Sequence, residues 1–441
     1  MPYRTIPGTD TSYFMLAVDE DGDERTGDPD ALGGRISEML IDFLRRENVT
    51  DLFVWSHGWK GDVTAAFDQY DRWIGAFAAA AGDVAEMSAR RPGFRAVHLA
   101  FHWPSQAWGN EELVAGNSFA PGAGAQVAEL TESYAAVLGD APAVRDALTR
   151  LFDELRTHAA ASELTEPMVN AYLALNDALQ LGENGAAGDG AADRLAFDPI
   201  QALCGADNEA FGIGDLGGRL LAPLRQLTFW TMKKRAKTVG ERGLHPLLAT
   251  MMHTAPDLRI QLVGHSFGCI VVASAIAGSN GARLPRPIDS CVLLQGATSL
   301  WAFSLDNPFQ RNVAGVFNRI VAGRLVAGPL VATQSRHDYA LGKIYPWAAG
   351  LSNQVSFNLL PTPPQFGAIG THGICGLSNV RAQPMLDAST PYQLQPGGIY
   401  NVDASRYVCK LDGASGAHSD IGGPEVAHLI WQAALPERIA S

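Results

Sequence analysis

The sequence predicts an α/β fold: a mostly parallel central sheet, helices on both of its faces, and an inserted helical cap. Three observations predict it. Apolar runs of strand length alternate with helical patterns at both ends of the chain. One of those strands runs through the turn Gly264-His265-Ser266-Phe267-Gly268 straight into a helix. From about 105 to 240 the strand signal stops and only helical spacing is left.

The elements follow in chain order. Tyr13 to Val18 reads as a strand, and the acidic cluster Asp19, Glu20, Asp21, Asp23 and Glu24 after it as a solvated turn. That cluster lacks the glycine and the terminal glutamate of an EF-hand loop. Residues 29–47 carry Ile36, Met39, Leu40 and Phe43 on one helical face. Leu52 to Trp55 is a short buried strand, ending at Ser56-His57-Gly58-Trp59, and one helix follows over roughly 63–90. Phe94 to Trp103 is the next strand, stopped by Pro104.

Within the cap, Val144, Leu148, Leu151, Phe152 and Leu155 are helically spaced, as are Met168, Tyr172, Leu175 and Leu179. A Gly-rich loop, 182–190, lies between helices. The alternation then resumes. Leu244, Leu247, Leu248, Met251 and Met252 form one helix face; Leu258 to Val263 is a strand and Phe267 to Ala277 a helix. Ser290 to Leu294, Pro329 to Thr333 and Ile399 to Val402 are strands, and Pro424 to Ala434 is the closing helix. The domain reading is therefore a core of 1–104 and 241–441, with 105–240 inserted as cap. In such sheets a site is expected beyond the carboxyl ends of the strands.

Bulk properties narrow the function. Of 441 residues 47% are hydrophobic and 18% charged, enough for a large core. The formal net charge of −13 argues against a nucleic-acid partner, because a field of that sign repels phosphates. The five cysteines are scattered, with no CxxC pair, so neither a disulfide framework nor a zinc site is expected. His98 and His102 share a strand face but lie roughly 13 Å apart at about 3.3 Å per residue, too far to share a metal. No metal and no cofactor are expected. There is no signal-peptide pattern and no apolar run long enough to span a bilayer, so the expected compartment is the cytoplasm.

The Gly-x-Ser-x-Gly match gains its meaning from context. It follows Ile260-Gln261-Leu262-Val263 directly and precedes a helix directly. A strand-to-helix turn of this kind holds its serine in a strained backbone, and side chains at the glycine positions would collide with neighbouring backbone. Ser266 is thus the candidate nucleophile. With this elbow, the chain outside the cap resembles the α/β-hydrolase superfamily.

The resemblance implies further roles. The His-Gly pair after an early strand, His57-Gly58, implies an oxyanion loop in which Trp59 donates its N–H and Gly58 supplies freedom, with Phe267 N–H as the other donor. Superfamily order places an acid after a later strand and a histidine after that. Asp338, following the strand at Pro329 to Thr333, is the candidate acid, with Asp306 and Asp289 as alternatives. His418, in the Gly-rich loop 412–423, is the candidate general base among eleven histidines, with His372 as the alternative. His418-Ser419-Asp420-Ile421-Gly422-Gly423 also resembles the His-x-Asp-x-Gly-Gly segment of type VI secretion phospholipase effectors.

Two side features complete the reading. The basic run around Lys233, Lys234, Arg235 and Lys237 reads as a solvated helix face rather than a recruiting patch for anions. Trp103, Trp108, Phe119, Phe229, Trp230 and Trp301 flank the expected site, as pocket lining or as core. The expectation is a serine hydrolase that cleaves a carboxylic ester of a small molecule or lipid through an acyl-enzyme. An acyltransferase using the same residues and a non-catalytic binding module on the same fold are the alternatives.

Overall fold

A computed structural model describes residues 3–26, 34–59, 63–105, 124–158, 161, 163–182, 193–204, 220–310, 312–351 and 362–436. Its elements are, in order, β1 Tyr3–Thr5, β2 Ser12–Ala17, α1 Ile36–Arg46, β3 Asp51–Ser56, α2 Val63–Ala78, α3 Ala81–Arg90 and β4 Ala96–His102. The helical stretch holds α4 Gly124–Leu138, α5 Pro142–Thr157, α6 Glu166–Ala178, α7 Pro199–Cys204 and α8 Ala222–Val239. After it come α9 His245–Thr254, β5 Arg259–His265, α10 Gly268–Ala277, β6 Ser290–Leu294, α11 Asn318–Ala322 and β7 Leu330–Gln334. The chain ends with α12 Tyr345–Ala348, α13 Ile369–His372, β8 Val380–Pro384, β9 Ile399–Asp403 and α14 Pro424–Ala434.

The nine strands form one sheet in the order β1-β2-β4-β3-β5-β6-β7-β9-β8. Among these described strands only β1 pairs antiparallel; the other strand pairings are parallel. Parallel neighbours need crossovers, and the helices that make them cover both faces. Side chains alternate across the sheet. On one face Leu52, Val54, Ile260, Leu262, Leu293 and Ala332 meet helices that include α1, α8, α9 and α10. On the other, Phe53, Trp55, Val263, Val292, Val331 and Tyr400 meet α2 and α14. Burial on both faces is why the central strands read as near-continuous apolar runs.

The sequence missed β1 and β8, and both lie at edges. β1 has three residues, and β8 alternates Val380, Ala382 and Pro384 with Arg381 and Gln383 over only five, mostly exposed positions, too short and too polar a run to read as a strand. The single helix expected over 63–90 is two, broken at Ala79-Ala80. The start of the 29–47 helix, the Gly-rich loop beyond 182, Trp108 and Phe119 lie outside the described residues. The acidic turn is organised by Asp19, whose Oδ1 accepts the amides of Asp21 and Asp23 at 3.0 and 2.9 Å.

The helical stretch shares its core with the sheet. Leu148, Phe152, Tyr172 and Trp230 belong to the same apolar cluster as the strand residues. α8 continues through the π-helical turn Gly240–Leu244 into α9, so the 240/241 boundary falls inside one helical run. At the crossing a Cβ on Gly240 would strike the Val271 carbonyl of α10 and lie 2.8 Å from the Ser274 side chain. The glycine lets the two helices approach at backbone distance.

The basic run on α8 is not a solvated face. Lys233 is buried and ion-paired with the buried Asp193, and the Tyr345 hydroxyl donates to both Asp193 oxygens at 3.1 Å. Arg235 donates to the carbonyls of Pro104 and Val137 at 3.0 and 2.8 Å, and Lys234 to Leu179 at 3.2 Å. The cations tie α8 to its neighbours, because carbonyls at turns and helix ends present unpaired acceptors. Among the described residues no helix is long and apolar enough to cross a membrane.

Removing one member of a buried ion pair strands the other. Lys233→Met is therefore expected to lower unfolding stability by about 3–5 kcal/mol. Lys233→Met with Asp193→Leu should recover much of that loss, as read from urea denaturation midpoints at constant slope.

Candidate active site

β5 lies at the centre of the sheet, and its carboxyl end delivers Ser266. The serine has φ +55°, a left-handed conformation rare for a residue with a Cβ. Bonds on both sides fix it: its N–H donates to Leu294 at 3.1 Å, and its carbonyl accepts from Cys269 and Ala297 at 3.1 Å each. The flanking glycines are steric necessities. A Cβ on Gly264 would sit 2.5 Å from the Gly268 carbonyl, and one on Gly268 would strike the Ser56 carbonyl at the end of β3. The turn between β5 and α10 is thus as tight as the Gly-x-Ser-x-Gly pattern requires.

The Ser266 Oγ lies 2.8 Å from His418 Nε2, and His418 Nδ1 lies 2.8 Å from Asp338 Oδ2. All three side chains are buried, Asp338 completely. The Asp338 carboxylate also accepts the Leu341 amide at Oδ1 (3.0 Å) and the Gln295 side-chain amide at Oδ2 (2.9 Å). The carboxylate oxygen facing Nδ1 selects the tautomer with the proton on Nδ1, which leaves Nε2 facing the hydroxyl.

The histidine loop is docked onto the aspartate loop by backbone. Asp338 and Gly416 form an isolated antiparallel bridge, and the Ala417 amide donates to His337 at 2.7 Å. Gly416 has φ +60°, and a Cβ there would strike the His337 carbonyl. His265, the variable position of the elbow, donates through Nε2 to the His418 carbonyl at 2.8 Å and sets its ring edge-on against Trp73. Asp420 holds the loop's other side, its Oδ2 accepting the amides of Cys409 and Lys410 at 3.0 and 2.7 Å. This explains the aspartate two residues beyond the histidine.

The oxyanion candidates lie at the end of β3 and the start of α10. A Cβ on Gly58 would lie 2.5 Å from the Ser266 Cβ and 3.1 Å from its Oγ, so the Gly58-Trp59 backbone runs directly against the serine. Phe267 is the N-cap residue of α10, where the first amides have no carbonyl one turn back. Beside the serine, Phe267 packs against Phe229 of α8 (ring centroids 5.0 Å) and Trp59 (5.9 Å), and Phe229 meets Tyr345 edge-on at 5.6 Å. Trp230 is core, its indole N–H donating to the Ala348 carbonyl, and Trp301 donates likewise to Pro364 and Gln365. Trp103 stacks on His57.

The alternative residues are placed elsewhere. Asp289 is at the amino end of β6, where it accepts from the Ile260 amide and Arg286. Asp306 is exposed in a turn. His372 ends the short α13, and burial lowers its pKa to about 4. Gln295 carries no sequence signal: it is one glutamine after β6, with φ +45°, and only the fold brings its amide to Asp338. Among the described residues no three His, Cys, Asp or Glu side chains converge as a metal-ligand set.

Burial also lowers the pKa of His57 and of His98 to about 4, and that of His102 to about 3. The unfolded chain binds protons at these positions from about pH 6.5 downward and the folded chain does not, so stability is complete above that pH and falls below it. Each histidine contributes a slope of about 1.4 kcal/mol per pH unit between pH 6.5 and its folded pKa. Thermal midpoints should fall from pH 7 to pH 4. His98→Gln, which keeps an acceptor for the Trp55 indole N–H, should make that fall shallower. Compared with protein-family models, with curated proteins and with solved structures, the chain matches none of them.

Proposed function

We propose that this chain is a serine hydrolase of the α/β-hydrolase type, cleaving a carboxylic ester through an acyl-enzyme. The observation that carries the reading is the continuous hydrogen-bond chain from the Ser266 hydroxyl through His418 to Asp338, built on a serine with positive φ. The order of the parts adds support: serine after β5, acid after β7, histidine after the last strand.

In this mechanism the Ser266 Oγ attacks the ester carbonyl carbon while its proton passes to His418 Nε2. Asp338 balances the imidazolium and holds its orientation without taking the proton. The carbonyl oxygen becomes an oxyanion, and the amides of Phe267 and Trp59 are the candidate donors that stabilise it. Collapse expels the alcohol, which takes the proton from Nε2. Water then attacks the acyl-enzyme with the same histidine as base, releasing the acid and restoring the serine. The ring cluster of Trp59, Phe229 and Phe267 gives an acyl group an apolar neighbour. A binding module derived from the same fold would have no reason to keep Ser266, His418 and Asp338 in bonding register.

Labelling with a fluorophosphonate probe, read by intact mass, tests the reading. Wild type should label one to one and Ser266→Ala not at all. Asp338→Asn should slow ester turnover by roughly 10⁴-fold, since an amide favours the wrong tautomer. A folded wild type that resists the probe and hydrolyses no acyl ester of any chain length would overturn the assignment. Gly58→Ala should abolish turnover of p-nitrophenyl esters, because its Cβ would occupy the space of the serine side chain.

A further inference from the structure

We infer that His57 and His102 are positioning residues of this site: the relay from His102 through His57 to the Gly58 carbonyl sets the direction in which the Trp59 N–H points. The inference rests on the hydrolase reading above and assigns a role to two histidines which that mechanism does not use.

The bonds fix the protons. His57 Nδ1 is 2.8 Å from the Gly58 carbonyl oxygen, which can only accept, so Nδ1 carries the hydrogen. Burial holds His57 neutral, so its Nε2 is an acceptor. His102 Nδ1, 2.9 Å away, must then be the donor, and the Trp103 amide adds a second, longer bond to the same Nε2 at 3.4 Å. The ring lies flat on the Trp103 indole, at an interplanar angle of 8°. The backbone of His57 is held as well: its N–H donates to the Tyr70 hydroxyl at 3.1 Å, and its carbonyl accepts the Trp103 indole N–H at 3.0 Å.

The consequence is geometric. β3 lies between β4 and β5, with His102 and Trp103 on the β4 side and Ser266 on the β5 side. His57 draws the Gly58 carbonyl toward the β4 side. The peptide linking Gly58 to Trp59 is trans and planar, so the Trp59 N–H points opposite to that carbonyl, away from His57 and the β4 side. A glycine at 58 has no side chain to restrain this peptide, so the His57 bond is a direct restraint on its plane. An oxyanion donor is effective only if it is aimed before the charge develops.

The test uses the full chain and p-nitrophenyl acyl esters, with active sites counted by end-point fluorophosphonate labelling. His57→Leu and His102→Leu remove the donors. His57→Asn and His102→Asn return an N–H near the Nδ1 position. The Leu variants should lose about 10- to 100-fold in kcat at unchanged KM, with a matching loss of affinity for an alkyl trifluoromethyl ketone, whose adduct carries the oxyanion. The Asn variants should recover most of both. Leu variants that keep kcat within about twofold of wild type would overturn the inference. So would Asn variants that melt like wild type yet turn over as slowly as Leu. If the Leu variants fail to fold, the Asn variants decide alone, near-wild-type turnover supporting the inference and slow turnover with normal melting overturning it. A wild type that does not label would overturn the hydrolase reading and this inference with it.

Discussion

The site depends on how closely the backbone at the carboxyl end of β5 packs against the ends of its neighbours. Gly58, Gly264 and Gly268 stand where a Cβ would meet the serine side chain, the next turn of the elbow, or the last carbonyls of β3. This crowding fixes the left-handed backbone of Ser266 and brings the Gly58-Trp59 peptide against its side chain. It also starts α10 within reach of the same point. Strain of about 1–3 kcal/mol at one residue persists only where the surroundings over-determine it, and here two strands and a fully buried helix do so.

Around that frame the polar groups are satisfied in layers. Asp338 has no exposed surface, and its oxygens are taken by an imidazole, a backbone amide and the Gln295 amide. Gln295 is fixed in turn by Thr333, which donates to its side-chain oxygen at 2.9 Å. A buried carboxylate with a missing donor would be costly, and the full set removes that penalty while aiming Oδ2 at His418. The histidine is placed by its backbone, through His265 and the bridge at Gly416, and its ring is then oriented by Asp338.

The helical stretch is part of the same packing problem. α8 runs unbroken into α9, crosses α10 at Gly240 and sets Phe229 on Phe267, the residue after the serine. Lys233, Lys234 and Arg235 spend their charge on a buried aspartate and on carbonyls of neighbouring segments, which fixes α8 in place. A chain of net charge −13 thus buries one of its cations, Lys233, and half-buries Lys234 and Arg235 beside it.

Local pattern alone determined the strands of the sheet interior, because strands buried on both faces must be apolar along their length: β3, β5, β6, β7 and β9 were legible within about a residue or two. It also determined Ser266, since the elbow's glycines are demanded by contacts within five consecutive residues and the strand beside them. Asp338 and His418 were legible only as positions after particular strands. Their bond spans 80 residues, and no local rule encodes it. Gln295, the His57–His102 pair and the Lys233–Asp193 ion pair were decided by tertiary structure. Glutamine, histidine and lysine have no periodicity that marks a buried partner, and a basic run looks the same in solvent as against a row of carbonyls. The edge strands β1 and β8 were hidden because they are short and half in water, so their few apolar residues alternate over too short a run to stand out.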